Sequence, residues 1–145
     1  MTELANDVRL RAGDRCEYCL IPQAAFRRSF HLEHVVARQH GGISTLENLA
    51  LACWQCNLKK GPNLTGLDPE GVNLTPLFHP RTDSWPHHFA VQIRTRISAG
   101  LTIAGLTPAG RATVHVLGMN DEMRQMLRYE LWLEGKYAGP DAGAP

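Results

Sequence analysis

Two Cys-x-x-Cys pairs, separated by 33 residues, constrain the fold of this chain more than any other feature. The first pair is Cys16 and Cys19, and the second is Cys53 and Cys56. Two such pairs bring four thiolates to one tetrahedral Zn²⁺ ion, with Zn–S bonds of about 2.3 Å. Because four thiolates leave no open coordination position, we predict a structural zinc ion that holds the ends of the intervening segment together. A redox dithiol and buried free cysteines are the alternatives.

Length and composition are those of a globular protein. The 145 residues suffice for one ordinary domain, or for a small module with an extension, and 43% of them are apolar. No apolar run approaches the roughly 20 residues needed to cross a bilayer, and the charged start lacks the apolar segment of a secretory signal. We therefore predict a cytoplasmic protein without a membrane partner. In that compartment paired cysteines favour a metal over disulfides.

Positive charge is concentrated between residues 9 and 60. This stretch has eight Lys and Arg residues against four Asp and Glu residues, a local net charge of +4, whereas the rest of the chain has −3. A phosphate backbone would bind at such a basic surface. Surfaces without a ligand often have the same imbalance, so the charge gives only modest support for nucleic-acid binding.

The stretch around the cysteine pairs predicts an α+β module. Its predicted elements are an amphipathic helix from Leu4 that ends at Gly13, a loop over residues 20–29, a strand over 30–36, a returning strand over 46–51 and a two-turn helix over 54–60. Phe30 and Leu32 should lie on one face of the first strand, a face that His34 can share. Gly61 and Pro62 should end the second helix.

The second half predicts a further β-hairpin and two helices. Residues 61–87 are interpreted as an ordered loop, and the alternating apolar residues from Phe89 to Ile97 as a strand that pairs with a short partner around 101–103. Helices are predicted from Pro108 to about 117 and from about 120 to 135. Met123 and Met126 are assigned to the core, and residues 138–145 to a disordered tail.

The segment FHLEHVVARQHGG…LENLALACWQCNLKKG resembles the HNH nuclease family, which has the ββα-metal (His-Me finger) fold. The family pattern is an acid–His pair at the end of the first strand, an Asn in the turn before the second, and a His or Asn on the helix. The matching positions here are Glu33, His34, Asn48 and Asn57. Asn in place of His on the helix is a variant that the family commonly uses. The likeness implies a nuclease module over residues 1–62.

The residue types suit phosphodiester cleavage. A neutral imidazole with a pKa near 6.5 can take a proton from the attacking water, so we assign the catalytic base to His34. The resemblance implies that Glu33 and Asn57 ligate one catalytic divalent ion. Their oxygens suit Mg²⁺ or Mn²⁺. Asn48 is expected to fix the loop and thereby the orientation of His34.

Taken singly, each of these residues has an ordinary structural interpretation. His34 alone could bond to the backbone, Glu33 alone could be a solvated charge, Asn48 a turn former and Asn57 a helix residue without a task. Their occurrence together between two zinc-type cysteine pairs favours the functional interpretation. Less specific candidates for substrate contact are the remaining basic and imidazole side chains of the module, namely His31, Arg38, His40, Lys59 and Lys60.

The second half resembles an extension that accompanies this nuclease module in small stand-alone bacterial proteins, and it brings no assigned chemistry. We assign residues 63–137 to it. His79, Arg81, His87 and His88 either reach the active cleft or belong to a loop that packs on the module with Trp85 as its anchor. Arg94 and Arg96 either contact phosphate or protect a strand edge from pairing.

Together these features predict a metal-dependent endonuclease of low sequence specificity, acting on DNA, with RNA not excluded, as a monomer or a homodimer. The alternatives are a zinc module that binds nucleic acid without cleaving it and an interaction protein whose second half docks a partner. A nucleic-acid affinity that falls steeply with added salt would indicate true phosphate contacts and would argue against the interaction protein.

Overall fold

The structure is a computed structural model that describes residues 2–95 and 98–140. It has a mixed α+β fold in which three antiparallel two-stranded sheets are each accompanied by helices. The chain divides into two compact units. The first comprises Met1–Leu64 and His79–Asp83, and the second comprises Thr65–Phe78 and Ser84–Pro145. None of the described helices combines the length and apolar character that a bilayer crossing requires.

The first unit is built from α1 (Glu3–Ala12), β1 (His31–His34), β2 (Leu49–Ala52) and α2 (Trp54–Lys60). The hydroxyl of Thr2 accepts a bond from the Ala5 amide at the start of α1, and Gly13 ends that helix with a φ of 63°. Strands β1 and β2 pair with Leu32 opposite Leu51, so the chain reverses between them. All four β2 residues are buried. The predicted helices are confirmed, and both strands are shorter than predicted.

Strand β1 pairs with only one edge of β2, and a single residue, Glu17, bonds to the other edge. The Glu17 backbone amide donates to the Leu51 carbonyl at 2.8 Å, and the Glu17 carboxylate accepts from the Leu51 amide at 2.8 Å. Buried backbone groups rarely remain unpaired. The first Cys-x-x-Cys pair, which encloses Glu17, is thereby held directly against β2.

The predicted buried face of the first strand is wrong at one position. Phe30 is buried as expected, whereas Leu32 is only half-buried and Glu33 is 5% exposed. The reason is that Glu33 finds buried polar partners, as described below. The predicted loop over residues 20–29 also contains a 3₁₀ turn, Gln23–Ala25.

The second unit has two hairpins and three helices among its described residues. These are β3 (Thr65–Leu67), β4 (Leu74–Pro76), α3 (Trp85–His88), β5 (Phe89–Arg94), β6 (Gly100–Gly105), α4 (Pro108–Val116) and α5 (Glu122–Leu133). The interpretation of residues 61–87 as loop is therefore wrong. The two similar segments, Asn-Leu-Thr-Gly-Leu and Asn-Leu-Thr-Pro-Leu, pair with each other, with Gly66 opposite Thr75.

The hairpin of β5 and β6 and the two long helices confirm the prediction for the second half. The hydroxyl of Thr107 accepts a bond from the Gly110 amide at 3.0 Å and begins α4. In β5, Ile93 is 45% exposed although its alternation predicts burial. The continuation of this strand to Ile97 and the position of Arg96 lie outside the described residues, as does the end of the predicted tail, residues 141–145.

Helix α5 packs through polar residues, and the assignment of Met123 and Met126 to the core is wrong. These side chains are 70% and 41% exposed. The buried face carries Arg128, whose guanidinium donates to the Leu101 carbonyl at 2.8 and 3.0 Å, and Arg124, which donates to the Leu117 carbonyl at 2.6 Å. Arginines satisfy backbone carbonyls that β6 and the end of α4 leave unpaired, and this need outweighs the apolar periodicity.

Candidate active site and metal centre

The four cysteine sulfurs form one buried cluster. Their Sγ atoms all lie within 4.8 Å of one another, and those of Cys19 and Cys53 are 3.8 Å apart. The backbone shapes both knuckles, since the Cys19 amide points at the Cys16 sulfur at 3.5 Å and the Cys56 amide at the Cys53 sulfur at 3.4 Å. Cys53 is also the N-cap of α2, so the second knuckle and the helix start at the same residue.

This cluster fits a tetrahedral zinc ion. Tetrahedral bonds of about 2.3 Å place sulfurs roughly 3.8 Å apart. Burial raises the pKa of Cys16 and Cys56 well above the ordinary thiol value, whereas a hydrogen bond with Cys16 lowers that of Cys53. A divalent cation would offset the cost of buried thiolates. The four buried sulfurs are arranged as a closed zinc site would require, in agreement with the zinc ion that the sequence predicts.

His34 lies at the end of β1 and is held by the loop that follows. Its Nε2 lies 2.8 Å from the Ser44 hydroxyl, which also accepts a bond from the Arg38 guanidinium at 3.1 Å. When Nε2 carries the proton and donates to Ser44, the lone pair of Nδ1 is available. Partial burial, with Arg38 as a second cause, lowers the pKa of His34. Both causes favour the neutral imidazole, which is the form that a general base needs.

Asn48 holds this loop in place. Its side-chain oxygen accepts from the Val36 amide at 2.9 Å, and its amide donates to the carbonyls of Val36 and Ile43 at 2.9 and 3.0 Å. The close approach depends on Gly42, where a Cβ would lie 1.7 Å from the Val36 carbonyl oxygen. The contacts support the positioning role that the sequence predicts for Asn48, because both ends of the loop carrying Ser44 are tied to one amide.

Glu33 lies inside the module and has two buried partners. The Tyr18 hydroxyl donates to one carboxylate oxygen at 2.6 Å, and the Lys60 ammonium lies 2.6 Å from the other. Lys60 is 2% exposed and also donates to the Val35 carbonyl at 2.9 Å. Burial raises the pKa of Glu33, while Lys60 and Tyr18 act in the opposite direction. The ion pair thus ties β1 to the end of α2.

Residues 16–63 match the family model of the HNH endonuclease. This segment, 48 of the 145 residues, is similar to an HNH endonuclease domain. It contains all four cysteines together with Glu33, His34, Asn48 and Asn57. Searches of curated proteins and of solved structures find no match to the chain. The likeness of residues 16–63 to this family suggests nuclease activity and a nucleic-acid substrate, and we call these residues the HNH module below.

The catalytic divalent ion that the family resemblance implies fits the HNH module only in part. The Asn57 side chain is half-exposed on α2 and has no hydrogen-bond partner in the part of the chain that the structure describes. The Glu33 carboxylate, by contrast, is buried and already neutralised by Lys60. A divalent cation beside that ammonium would meet strong repulsion at low dielectric. Glu33 is therefore poorly disposed to bind a second cation while Lys60 stays in place, and its assignment with Asn57 as ion ligands stays a prediction.

The other candidate contacts of the HNH module divide by exposure. His31, Arg38, His40 and Lys59 are all exposed, with Arg38 beside Ser44, so these four side chains are accessible to a phosphate backbone. Lys60 is not accessible, because its ammonium is buried against Glu33. We do not retain Lys60 as a phosphate contact.

The His79–Asp83 segment belongs to the first unit and is a structural loop there. The Arg81 guanidinium pairs with Glu17, and burial beside Arg11 lowers the pKa of Arg81 to about 10. Nδ1 of His79 accepts from the Arg81 amide at 3.1 Å. These contacts agree with the packed-loop interpretation of His79 and Arg81.

His87 and His88 belong to the second unit. His87 is exposed, whereas Nδ1 of His88 lies 2.5 Å from the Thr107 hydroxyl. Trp85 packs on Phe89, with ring centroids 5.0 Å apart. The predicted anchoring of the loop by Trp85, and the predicted domain limits at 62 and 137, stay predictions.

The Arg94 guanidinium donates to the Ser98 hydroxyl at 3.0 Å. Its two predicted roles, phosphate contact and protection of a strand edge, stay predictions.

Sequence reasoning missed two residues that shape the site. Ser44 orients the His34 ring, and its position just after the Gly41-Gly42 turn was the available signal. Tyr18, between the first two cysteines, is fully buried and bonds to Glu33. The sequence around Tyr18 does not indicate a hydrogen bond to a residue 15 positions away. Only the folded structure reveals this contact with Glu33.

Proposed function

We propose that the HNH module hydrolyses phosphodiester bonds in DNA, with His34 as the base for the attacking water. The observation that carries this proposal is the His34–Ser44 contact of 2.8 Å, because the second ring nitrogen is a free acceptor in the tautomer whose Nε2 donates to Ser44. The lowered pKa of His34 supports the same role, because the imidazole is then mostly unprotonated at pH 7.

The proposed reaction is a single hydrolytic displacement. Water loses a proton to Nδ1 of His34 as its oxygen attacks phosphorus, the bond from phosphorus to the leaving oxygen breaks, and that oxygen takes a proton from solvent. Arg38, whose guanidinium lies 3.1 Å from the Ser44 hydroxyl, is placed to bind the phosphate near His34. Asn48 acts as a positioning residue through the loop.

A requirement for Mg²⁺ or Mn²⁺ remains part of the proposal, resting on the family resemblance. Such an ion would stabilise the charge that develops on the phosphate. Since Lys60 occupies the Glu33 carboxylate, the proposed steps use only residues of the protein and solvent.

One active site cuts one strand, so nicking by a monomer is the proposed outcome, and a double-strand break requires a homodimer or two events. Few base-reading side chains are expected, so we propose low sequence specificity, with RNA as the competing substrate and the cytoplasm as the location.

A plasmid-nicking assay with Mg²⁺, Mn²⁺ or EDTA tests this function. We expect the wild type to nick supercoiled plasmid with added metal, and His34→Ala to lower the rate by on the order of 10²–10⁴. His115→Ala is the matched control, since His115 is an exposed histidine of the second unit. Zinc content is measured in every sample, because EDTA can also strip the cysteine site.

Two outcomes would overturn the proposal. Cleavage that survives in His34→Ala would exclude His34 as the base. Absence of cleavage with every metal, while zinc content and DNA binding are retained, would favour the non-enzymatic zinc module instead.

A further inference from the structure

An open pocket of the first unit has no assigned role. Its volume is about 400 Å³, within the range of roughly 300–1,000 Å³ that small organic ligands occupy. The walls come from the segment before β1 and from the start of α2, and the lining residues are Phe26, Arg27, Arg28, Ser29, Phe30, Cys53, Trp54 and Gln55. None of the candidate active-site residues is among them.

The pocket presents aromatic surface to solvent. Trp54 is 48% exposed and Phe26 is 39% exposed, and the ring centroids of Phe26 and Phe30 lie 5.7 Å apart at an angle of 55°. Leaving such apolar surface in water costs about 25 cal/mol per Å². Contiguous exposed apolar surface marks an interaction site, whereas isolated apolar residues do not.

The charges around the pocket specify an anionic ligand. Arg27 and Arg28 are exposed, and across residues 2–95 and 98–140 neither guanidinium has a hydrogen bond or an ion pair. No carboxylate lines the pocket among these residues. A ligand with a flat ring and a negatively charged group matches both features. Single-stranded nucleic acid is bound in this way, with bases stacked on aromatic side chains and the backbone held by cations.

The pocket and the candidate active-site residues lie on the same two elements. Helix α2 carries Trp54 at its first position and Asn57 three residues later, about 4.5 Å along the helix axis. Strand β1 begins directly after Phe30 and ends at His34, about 13 Å further along the strand. At 3.4 Å per stacked nucleotide, a strand bound at His34 would reach the pocket within about four nucleotides.

We propose that this pocket binds an unstacked base of the substrate strand, and that the HNH module therefore prefers single-stranded or locally unpaired nucleic acid near the cleaved phosphate. The position of the cleaved phosphate rests on the proposed function, whereas base binding by the pocket does not. Phe26 and Trp54 supply the stacking surface, the buried Phe30 ring supports Phe26 from behind, and Arg27 and Arg28 hold the adjoining phosphates.

The test compares binding of three fluorescently labelled oligonucleotides of equal length: a single strand, the same strand with abasic sites throughout, and a blunt duplex. All proteins carry His34→Ala, so that no strand is cleaved. We expect Trp54→Ala and Phe26→Ala each to weaken binding of the ordinary single strand by about 5- to 100-fold. The abasic strand should bind the parent protein weakly and respond little to either substitution.

Met123→Ala provides the matched control, because Met123 is a large apolar side chain that is 70% exposed in the second unit. It should leave all three affinities within about twofold. Arg27→Ala should weaken every strand alike and reduce the salt dependence of binding. Zinc content and thermal unfolding show whether Trp54→Ala disturbs the adjoining cysteine site. In that event Phe26→Ala, which lies outside α2, decides the result.

Equal affinity for the ordinary and abasic strands would overturn the proposal, and so would unchanged affinity in Phe26→Ala. Equal affinity of the parent protein for all three oligonucleotides would also overturn it. Plasmid cleavage by the wild type shows whether the pocket proposal fails alone or the proposed nuclease function fails as well. Cleavage without base-dependent binding removes the pocket proposal alone. Base-dependent binding without cleavage removes the nuclease proposal and retains the pocket.

Discussion

At the scale of single residues, the protonation state of His34 depends on two neighbouring side chains and on the burial of its ring. Ser44 leaves Nδ1 free when Nε2 is the donor, partial burial disfavours the imidazolium, and Arg38 adds a positive charge nearby. Each of these favours the neutral ring with an accessible lone pair. Removing any one of them should change the proton affinity of His34 more than it changes the fold.

This dependence gives a prediction for the pH profile. Because the pKa of His34 is lowered, the acidic limb of kcat/KM at saturating metal should have its midpoint below pH 6.5. Arg38→Ala removes a repulsive cation, which makes the imidazolium less unfavourable, so the midpoint should move to higher pH. A midpoint that stays fixed or moves to lower pH in Arg38→Ala would contradict the arrangement. Lys59→Ala, which removes a cation without a resolved effect on His34, is the control.

The buried pair of Glu33 and Lys60 gives a second prediction. Lys60→Met leaves the Glu33 carboxylate buried without its cation, and we expect the free energy of unfolding to fall by about 3–5 kcal/mol at pH 7.5. The pKa of Glu33 is raised by burial, so its ionised form disfavours the folded state as pH rises above the ordinary glutamate range. The loss in Lys60→Met should therefore be smaller at pH 5.

Urea unfolding at the two pH values measures this effect. The double variant Glu33→Gln, Lys60→Met should recover much of the lost stability, because neither buried group is then charged. An equal loss at both pH values, without recovery in the double variant, would mean that Lys60 contributes through packing alone.

At the scale of elements, the loop between β1 and β2 is held by backbone contacts that require a glycine. A Cβ at Gly42 would lie 1.7 Å from the Val36 carbonyl oxygen and 2.9 Å from the Asn48 amide nitrogen. Asn48 can satisfy Val36 and Ile43 only while this approach is open. The present loop conformation therefore requires a residue without a Cβ at position 42, and in this conformation Ser44 lies beside His34.

Gly42→Ala should separate loop geometry from overall folding. We expect activity to fall by at least tenfold, because the Asn48 contacts break and Ser44 loses its position relative to His34. The zinc content should remain unchanged, since the cysteine cluster is formed by other segments. Steady-state nicking rates and zinc analysis provide the measurements. Gly71→Ala is a control for the loss of a glycine, because that position has no positive φ and a Cβ there meets Asp68 only at ordinary contact distances of 3.6 Å and beyond. Wild-type activity in Gly42→Ala would show that the loop tolerates another path.

At the scale of the whole molecule, the first unit is small and its cysteine cluster links distant segments. Cys19 and Cys53 lie 34 residues apart in the chain, yet their sulfurs are 3.8 Å apart. Without a metal, such a unit has little apolar core with which to offset its chain entropy. Metal binding then contributes folding free energy directly.

Zinc removal should accordingly unfold the first unit before the second. A strong chelator, or Cys53→Ser, is expected to lower the midpoint of the first unfolding transition by 10 °C or more, on the order of 2–4 kcal/mol at the size of this unit. Differential scanning calorimetry with and without chelator resolves the transitions, and re-addition of Zn²⁺ should restore the first one. A single unchanged transition without zinc would exclude a folding role for the metal.

The sequence by itself determined the features that depend on local chemistry. The cysteine spacing predicted the sulfur cluster, Gly13 and Thr107 marked helix ends, and the acid–His, Asn and Asn pattern located the HNH module. Only the tertiary structure decided which polar groups are buried. Glu33 and Lys60 lie inside, and Met123 lies in solvent, although periodicity and residue type suggest the reverse. The reason is that a buried charge is stable only beside a partner, and here those partners are 15 and 27 residues away in the chain, beyond the reach of any local pattern.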